Sequence, residues 1–270
     1  TNIRWLIQDV NGNFAYCTSS VTVVDNEDPT IICPADVTVN NDNGNCSAAI
    51  TIGAPTTDDN CGVASVTNNF NGTSDASDTY PVGTTTVVWT VTDIYGNTAT
   101  CEQTVVVNDN ETPTAICQDV TVQLDAAGNG SIVVADINNG STDNCGIDNI
   151  SLDNTTFVCG DVGANTVTLT VEDIHGNIST CTSTVTVEDN VAPVAICQDV
   201  TVQLDASGMG STTASAIDNG SNDACGIASL TISQADFNCT EVGTQQVTLT
   251  ATDVNGNSSS CTSTVTVEDN

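Results

Sequence analysis

Cationic and aromatic residues are almost missing from this 270-residue sequence. It contains no lysine, one arginine (Arg4) and one histidine (His175), against 34 aspartates and glutamates, and aromatic residues make up 3%. The formal net charge of −33 repels phosphate backbones and anionic membranes, so neither is expected as a partner. So few aromatics also argue against a platform that stacks bases or sugars. The acidic charge is either solvated surface or a means of attracting divalent cations.

Long apolar runs and catalytic groupings are missing as well. No stretch of 18 apolar residues occurs, so this segment is not expected to insert into a membrane. His175 lies in a turn whose counterparts elsewhere in the chain carry Tyr95 and Asn255. Three equivalent positions with three residue types do not indicate a shared mechanism. Carboxylate pairs such as Asp58-Asp59 carry little signal in a chain this acidic, and we expect no enzyme.

An internal repeat organises what the sequence does contain. A Gly-Asn turn followed by a cysteine and an alternating Thr/Val strand recurs at steps of 84, 80 and 80 residues, with the cysteines at Cys17, Cys101, Cys181 and Cys261. Residues 26–109, 110–189 and 190–270 are therefore predicted as repeat domains, the last including the start of another joint. Residues 1–25 are expected to be the C-terminal part of a truncated repeat, and the chain a window on a longer tandem array.

Each repeat has the pattern of an all-β domain. Short runs such as 120–124, 166–171 and 184–187 alternate Val or Leu with Thr or Gln, as half-buried antiparallel strands do. Turn signals recur every 8 to 14 residues. The pattern predicts tandem immunoglobulin-like β-sandwiches of about 80 residues. Trp5 and Trp89 hold equivalent strand positions and are expected in the core.

The predicted topology brings three acidic segments to one end of each sandwich. The first and last strands of such a sandwich run the same way, so the chain enters at one end, the leading pole, and leaves at the other, the trailing pole. The joint between repeats, the loop after the second strand and the Asp-x-x-Gly-Asn turn before the last strand should all lie at the leading pole.

Thirteen cysteines in a regular pattern predict a disulfide-bonded, extracellular protein. Three cysteines per repeat hold constant positions, and the fourth varies: it is Cys46 in the first repeat but Cys159 and Cys239 in the others. A variable cysteine is expected to pair with the loop cysteine nearest in sequence, which predicts Cys46–Cys61, Cys145–Cys159 and Cys225–Cys239. The pairs predicted between first and last strands are Cys33–Cys101, Cys117–Cys181 and Cys197–Cys261. With no Cys-x-x-Cys and one histidine, a zinc site is not expected.

Several motifs together resemble the HYR (hyalin repeat) family. They are Pro-x3-Cys at the start of each repeat, Asp-Asn-Cys-Gly in the middle, Val82-Gly83-Thr84 before a strand, and Asp-x-x-Gly-Asn-x3-Cys at the end. The resemblance covers nearly the whole chain. It implies immunoglobulin-like modules in tandem, as in large bacterial surface adhesins of the gliding-motility type and in hyalin of the echinoderm egg coat. The chain departs from the commoner repeat by lacking a cysteine in the next-to-last strand, where Trp89, Leu169 and Leu249 stand.

Calcium at the joints is the main metal hypothesis, because Ca²⁺ takes six to eight oxygen ligands in flexible geometry. The alternative is that Asp and Asn are turn formers whose side chains bond local backbone amides. The joint around Asp109-Asn110 also resembles the Asp-Asn linkers of cadherins, where calcium stiffens a string of domains. The candidate ligands are Asp25, Glu27, Asp58, Asp59 and Asp93 at the first joint; Asp109, Asn110, Glu111, Asp143 and Asp173 at the second; and Asp189, Asn190, Asp223 and Asp253 at the third.

The sequence therefore predicts an extracellular, cell-surface stalk: a tandem-repeat spacer of a larger adhesin or filament protein, with Ca²⁺ stiffening its joints. Its expected partners are neighbouring repeats of the same long chain, and like chains in a filament. Two alternatives remain open: a self-associating subunit of an extracellular filament or matrix, and a module that binds a glycan or a protein.

Overall fold

A computed structural model describes residues 1–270, which form two compact units, Thr1–Glu111 and Thr112–Asn270. Nearly every regular element is a β-strand, as the sequence predicts. The strands of the first unit are β1 (Asn2–Gln8), β2 (Phe14–Ser20), β3 (Thr30–Ile32), β4 (Val37–Asn40), β5 (Ser47–Ile50), β6 (Thr56–Asp58), β7 (Val63–Asn68), β8 (Asp78–Pro81), β9 (Gly83–Asp93) and β10 (Thr98–Asn108).

The second unit contains two repeats of almost identical structure. Its strands are β11 (Val120–Gln123), β12 (Asn129–Ser131), β13 (Ile147–Leu152), β14 (Thr156–Val158), β15 (Gly163–Asp173) and β16 (Ile178–Glu188), followed by β17 (Val200–Gln203), β18 (Met209–Ser211), β19 (Ile227–Ile232), β20 (Asp236–Asn238), β21 (Gly243–Asp253) and β22 (Ser258–Glu268). Each repeat also has a one-turn helix, α1 (Val134–Ile137) or α2 (Ala214–Ile217), and a short 3₁₀ turn, Cys159–Asp161 or Cys239–Glu241. The sequence does not predict these helices, because four residues are too few to show a helical period.

Each repeat is a β-sandwich with one four-stranded sheet. The orders are β4-β10-β9-β7, β11-β16-β15-β13 and β17-β22-β21-β19, and short strand pairs such as β5–β8 and β12–β14 form the rest of the sandwich. In all three sheets the early strand pairs with the last strand in parallel, as Val37 does with Val105. The prediction of immunoglobulin-like sandwiches whose first and last strands run the same way is confirmed.

The core of each sandwich is built by the inward face of the two long strands. Alternation along β9 buries Val87, Trp89 and Val91 completely, while the residues between them stay partly exposed. The same positions of β15 and β21 bury a Val-Leu-Val and a Val-Leu-Ala set. Each fully buried aliphatic side chain contributes about 1.5–3 kcal/mol relative to exposure. The period of two in the sequence is therefore the period of burial in the structure.

The two tryptophans have opposite environments. Trp89 is 0% exposed, and its indole Nε1 donates a 3.2 Å hydrogen bond to Oε1 of the buried Gln103. Gln103 in turn donates to the carbonyl oxygen of Ala35 at 2.7 Å. Trp5, in contrast, is 57% exposed, so the expectation that it lies in a core is wrong. The β1–β2 hairpin pairs only with itself, and no second layer covers either of its faces.

Each repeat ties its first segment to its last strand with a disulfide. The bonds are Cys33–Cys101, Cys117–Cys181 and Cys197–Cys261, which are the three long-range pairs that the sequence pattern predicts. In each, the Cα atoms are 5.8 or 5.9 Å apart, within the usual disulfide range.

The three short-range pairs predicted from sequence are wrong. Cys159 is bonded to Cys225 of the following repeat, whereas Cys61 and Cys239 are free thiols. Cys46 and Cys145 are disulfide-bonded as well, so neither predicted partnership, Cys46–Cys61 or Cys145–Cys159, exists.

The physical reason is the direction of the strands between the cysteines. Cys145 precedes Ile147, which pairs with Asp173 at the leading end of β15, whereas Cys159 lies four residues before Gly163 at the trailing end. The 11 residues of β15 span roughly 35 Å at about 3.3 Å per residue. Two cysteines 14 residues apart in sequence therefore sit at opposite poles of their sandwich, far beyond disulfide reach.

Candidate metal centre

The loop after the second strand folds around one aspartate in every repeat. Oδ1 of Asp59 accepts hydrogen bonds from the backbone amides of Cys61 and Gly62, at 2.9 and 2.7 Å. Asp143 and Asp223 make the same pair of bonds in their own loops. Asp forms such turns readily because its short side chain reaches the backbone two residues on. These turn hydrogen bonds use Oδ1 alone, so Oδ2 is left to interact with another group.

The Asp-x-x-Gly-Asn turn before the last strand is built around a second, buried aspartate. Oδ1 of Asp93 accepts from the amides of Tyr95, Gly96 and Asn97, and its Oδ2 accepts from Asn97 Nδ2 at 2.7 Å. The counterparts Asp173 and Asp253 are held in the same way by Asn177 and Asn257. Here the turn-forming role that the sequence offered as an alternative to calcium is plainly present.

These hydrogen bonds keep the turn aspartates ionised. Burial opposes ionisation, but the bonds from the asparagine side chain and the backbone amides outweigh it, and the pKa of Asp93, Asp173 and Asp253 lies below the ordinary aspartate value. Three fixed negative charges therefore mark the three leading poles at neutral pH.

The lowered pKa predicts a loss of stability in acid. A group whose pKa is lower in the folded state contributes stability that is complete above its unfolded pKa, about 3.9, and that disappears as the pH falls through the folded value. Asp253→Asn should therefore lower the melting temperature at pH 7 by more than at pH 2.5. Melting curves of both proteins across this range test it. A difference that stays constant with pH would contradict the assignment.

At the leading pole of the first repeat, called the first pole below, the joint aspartate Asp25 lies close to the two turn-forming aspartates Asp59 and Asp93. Carboxylate oxygens of Asp25, Asp59 and Asp93 all lie within 4.8 Å of one another. Oδ1 of Asp25 accepts from the Glu27 amide at 3.1 Å, while its Oδ2 is buried and accepts no hydrogen bond. Like charges this close to one another repel. A buried carboxylate oxygen without a donor, beside two further carboxylates, lacks a positive counterpart.

The free thiol of Cys61 borders this cluster. A hydrogen bond to Asp25, then burial, then the negative charges of Asp25, Asp59 and Asp93 raise the pKa of Cys61 above that of an ordinary thiol.

The other two residues predicted for the first joint lie beside the cluster. Glu27 and Asp58 line a shallow depression together with Asp59 and Asn60. Oε2 of Glu27 accepts a hydrogen bond from Asn60 Nδ2, and Oδ1 of Asp58 accepts from the Asp59 amide at 3.0 Å. Both side chains are thus engaged in local bonds next to the three grouped carboxylates.

At the leading pole of the third repeat, called the third pole below, the same three segments occur, but the grouped side chains are different. Carboxylate oxygens of Asp189 and Asp223 lie within 4.8 Å of each other and of the Cys225 sulfur. That sulfur belongs to the Cys159–Cys225 disulfide, so it is no thiolate ligand. Asn255 Nδ2 donates to Asp189 Oδ2 at 2.7 Å, which supplies the donor that Asp25 Oδ2 lacks.

Two more predicted ligands of this joint have other roles. Asp253 holds its turn, and its partner Asn257 also donates from Nδ2 to the carbonyl oxygen of Asp189 at 2.9 Å. Asn190 donates from Nδ2 to Gln123 Oε1 of the preceding repeat at 2.6 Å. The role of Asn190 as a ligand beside Asp223 stays a prediction.

The residues predicted for the second joint are divided between the two compact units. In the first unit, both carboxylate oxygens of Glu111 accept from the Gly44 amide, at 2.8 and 3.0 Å, and Oδ1 of Asp109 accepts from the Glu111 amide. The Asn110 amide donates to Asn41 Oδ1 at 3.3 Å. In the second unit, Oδ2 of Asp143 is buried and accepts no hydrogen bond, and Asp173 holds its turn. Their joint role as ligands stays a prediction.

Asn255 is the functional residue that sequence reasoning missed. The position it shares with Tyr95 and His175 looked uninformative because its residue type varies. In the structure this variation decides whether the joint aspartate receives a hydrogen bond at the third pole. The only available signal was that an amide side chain stood two residues after a buried aspartate.

Comparison with known proteins places the first repeat in a family. Residues 24–107 match the family model of the HYR domain. The chain contains an HYR domain. This agrees with the motif resemblance, and the disulfides of the chain belong to an oxidising, extracellular environment.

The curated relatives of the chain include two proteins named Hyalin. It is 33% identical to "Hyalin" of Strongylocentrotus purpuratus over 283 residues, covering 99% of this chain and 23% of that protein. It is 32% identical to "Hyalin" of Lytechinus variegatus over 139 residues, covering 50% of this chain and 26% of that protein. The chain thus spans about a quarter of the length of these relatives. The family fits an extracellular module of the adhesion type.

Solved structures similar to this chain include cadherin ectodomains. PcdhgB3 EC1-4 matches with a TM-score of 0.33 and 14% identity, covering 100% of this chain and 83% of that one. Drosophila N-cadherin EC1-4 matches with a TM-score of 0.33 and 11% identity, covering 99% and 83%. None of the helices in the chain could span a membrane.

Proposed function

We propose that this chain is a stiff spacer segment of an extracellular, cell-surface adhesive stalk, with the three repeats 26–109, 110–189 and 190–270 as its domains. The observation that carries the proposal is the Cys159–Cys225 disulfide, which joins two consecutive repeats covalently. A bond within a domain limits its extension, whereas a bond between domains limits how far they can turn about their joint. The role is mechanical and non-catalytic, and the neighbouring repeats are the principal partners.

The junction between these repeats has further contacts that favour stiffness. Asn190, in the joint, donates to Gln123 of the preceding repeat, and Asn257 of the following repeat donates to the Asp189 carbonyl. The joint is thus bonded on both sides by side chains in addition to the disulfide. Such short bonds would each be lost if the two repeats swung apart.

Calcium at the leading pole is the second part of the proposal. The three carboxylates of Asp25, Asp59 and Asp93 offer hard oxygen ligands, and the buried, unpaired Asp25 Oδ2 supports a cation among them. Ca²⁺ completes its six to eight ligands with water and accepts irregular geometry, whereas Mg²⁺ demands a near-ideal octahedron. A bound Ca²⁺ would neutralise the repulsion and hold the joint segment, the loop and the turn together.

Small-angle scattering of the intact chain tests the spacer function. Measurements are made with and without a few millimolar Ca²⁺, and for Cys159→Ser/Cys225→Ser against the unmutated chain. If the disulfide and calcium stiffen the joints, removing either one should make the repeats more mobile. The distribution of interatomic distances should then become broader. Identical distributions under all conditions would contradict a stiffening role for the disulfide and for calcium.

Asp59→Asn is expected to weaken calcium binding at the first pole by at least about tenfold, because affinity follows the number of charged ligands. The asparagine keeps an Oδ1 that can accept from the Cys61 and Gly62 amides, so the loop should remain folded. Isothermal titration calorimetry with Ca²⁺ measures the change. Asp75→Asn is the matched control, since Asp75 bonds the Ser77 amide away from the cluster. Equal affinity of the Asp59→Asn variant and this control would contradict the site.

Asn255→Ala is expected to strengthen cation binding at the third pole. The substitution removes the 2.7 Å hydrogen bond from Asn255 to Asp189 Oδ2 and leaves that carboxylate as Asp25 is in the first repeat. Titration should then reveal an additional Ca²⁺ equivalent, or a higher affinity, relative to the unmutated chain. Tyr95→Ala is the control, because no hydrogen bond joins the Tyr95 side chain to Asp25 Oδ2. An unchanged titration of Asn255→Ala would show that the amide does not compete with a cation.

A further inference from the structure

The disulfide that joins the second and third repeats lies against a tight turn of the second repeat. Asp125 builds this turn, because its Oδ1 accepts hydrogen bonds from the amides of Ala127 and Asn129, at 2.8 and 2.9 Å. Its carbonyl oxygen accepts from the Gly128 amide at 2.8 Å, and Gly128 has a φ of +77°, in the left-handed region that favours glycine. The Cys159 sulfur lies 3.9 Å from the Gly128 carbonyl oxygen. One sulfur of the inter-repeat bond therefore rests on this glycine.

Gly128 has no room for a side chain. A Cβ atom at this position would lie 2.6 Å from the Cys159 sulfur, 3.3 Å from Cβ of Ala224 and 3.7 Å from the Cys225 sulfur. The first of these distances is far below the separation at which non-bonded heavy atoms attract each other. Ala224 and Cys225 belong to the third repeat, so the missing side chain also lets the loop of the third repeat approach the turn.

The third repeat contains the same turn beside a cysteine that is not bonded. Oδ1 of Asp205 accepts from the amides of Ser207 and Met209. Gly208 has a φ of +73°, and the Cys239 thiol donates to its carbonyl oxygen at 3.6 Å. A Cβ atom at Gly208 would lie 2.4 Å from that sulfur, and no other atom is within 4 Å of it. Because Cys239 is a free thiol, its sulfur can rotate away from an added methyl group, which a bonded sulfur cannot do.

We propose that Gly128 is the positioning residue of the Cys159–Cys225 disulfide. Its missing side chain leaves empty the place that the Cys159 sulfur takes when it is bonded to Cys225, and it lets Ala224 pack against the turn. The glycine thus selects the relative position of two repeats in which the bond closes. The inference rests on the proposed spacer function, because it assigns to one residue the geometry of the bond that joins the repeats.

The equilibrium between the disulfide and its two thiols measures this geometry. In a glutathione buffer, one glutathione thiolate attacks the Cys159–Cys225 bond, forms a mixed disulfide with one cysteine and releases the other as a thiolate. A second glutathione thiolate attacks the glutathione sulfur of the mixed disulfide and releases the remaining protein thiolate. Two glutathione molecules are oxidised to one glutathione disulfide, and their thiol protons end on the two protein thiols. Closing is favoured in proportion to the effective concentration of one protein thiol at the other.

Gly128→Ala should lower the equilibrium constant for closing Cys159–Cys225 by at least about tenfold, because an added methyl group in a packed site displaces its neighbours. The intact variant and the unmutated chain are equilibrated in glutathione buffers of graded redox ratio, quenched with acid and alkylated. Digestion at acidic residues and mass spectrometry then give the reduced fraction of each cysteine. The Cys117–Cys181 bond within the second repeat is read in the same samples and should keep its reduced fraction.

Gly208→Ala is the matched control. It puts the same methyl group into the same turn, at a similar φ and beside the equivalent cysteine, but away from the inter-repeat bond. It should leave the closing of Cys159–Cys225 unchanged. Equal equilibrium constants for Gly128→Ala and Gly208→Ala would overturn the proposal, since strain in either turn would then have the same effect.

Ala224→Val tests the same contact from the third repeat and leaves the backbone of the Gly128 turn unstrained. Its added methyl groups should meet that turn and again make closing of Cys159–Cys225 less favourable. Hydrogen exchange of the β15 amides shows whether each variant is folded. If Gly128→Ala does not fold, Ala224→Val decides alone, and an equilibrium equal to that of the unmutated chain overturns the proposal.

The unmutated chain separates this inference from the spacer function. If its oxidised form lacks the Cys159–Cys225 bond, the spacer function loses its basis and the inference fails with it. If the bond is present but insensitive to Gly128→Ala, only the positioning role of Gly128 is refuted.

Discussion

Trp89→Ala should destabilise the first repeat by about 3–5 kcal/mol, the range for removing a buried aromatic side chain from a core. Trp89 is 0% exposed, and its loss also leaves Gln103 Oε1 without its donor in a buried site. An unsatisfied buried polar atom adds about 1–3 kcal/mol to the cost of a substitution. Because the chain has several domains, hydrogen exchange of the β9 and β10 amides is the appropriate measurement.

Trp5→Ala is the matched control for this prediction. Trp5 holds the equivalent position in the β1–β2 hairpin, pairing with Cys17 as Trp89 pairs with Cys101, but it is 57% exposed. Its replacement should change the stability of the first repeat by no more than about 0.5 kcal/mol. Comparable loss of exchange protection in both variants would show that Trp89 is not the centre of the first core.

Removing the Cys117–Cys181 disulfide should cost the second repeat about 4 kcal/mol. The bond closes a loop with a sequence separation of 64 residues, and the chain-entropy model assigns about this value to loops of that length. Replacing both cysteines by alanine introduces no polar group into the core. It removes the cross-link that restricts the conformations of the unfolded chain. Hydrogen exchange of the β16 amides should then accelerate by about 10³-fold, since each 1.4 kcal/mol is a factor of ten.

The Cys159–Cys225 disulfide provides a control of nearly equal loop length. Its sequence separation is 66 residues, but the loop runs from one repeat into the next. Replacing both of its cysteines by alanine should therefore leave the protection of β16 almost unchanged while loosening the junction. Equal acceleration of β16 exchange in the two double variants would contradict the account. It would show that the bond within a repeat and the bond between repeats do not have separate roles.

The sequence could predict what depends on local periodicity. Alternation along 166–171 was sufficient to predict the buried face of β15. The long disulfides followed because Cys117 and Cys181 hold fixed positions in strands whose relative direction the fold class determines. Each of these inferences uses only the spacing of residues within one repeat.

What the sequence did not predict depends on three-dimensional position at the poles. Pairing Cys145 with Cys159 by closeness in sequence ignored that a long strand separates the two ends of the sandwich. The predicted topology already placed Cys145 at the leading pole. Because β13 runs from Cys145 toward the trailing pole, Cys159 should have been placed near that pole, away from Cys145. Its partner would then be expected in the next repeat. Trp5 was misassigned because strand periodicity cannot report whether a second layer covers the strand.

The acidic residues are a third case, in which the turn-forming interpretation is confirmed and the calcium interpretation stays a prediction that is compatible with it. Asp59 forms its turn through Oδ1, as the turn-forming alternative predicts, and still brings its carboxylate within 4.8 Å of the Asp25 and Asp93 carboxylates. A carboxylate has two oxygens, so turn formation and cation binding do not exclude each other. In the proposed calcium sites, the poles that would take a cation differ in neighbours such as Asn255, which a motif cannot distinguish.

Disulfide mapping of the unreduced chain tests the central claim, that consecutive repeats are joined covalently, most directly. Because the chain has one arginine and no lysine, digestion must cut at aspartate and glutamate rather than at basic residues. The structure predicts a peptide containing Cys159 linked to one containing Cys225, with Cys61 and Cys239 recovered as free thiols. Recovery of Cys145–Cys159 and Cys225–Cys239 instead would show that each repeat closes on itself, and would contradict the covalently stiffened spacer.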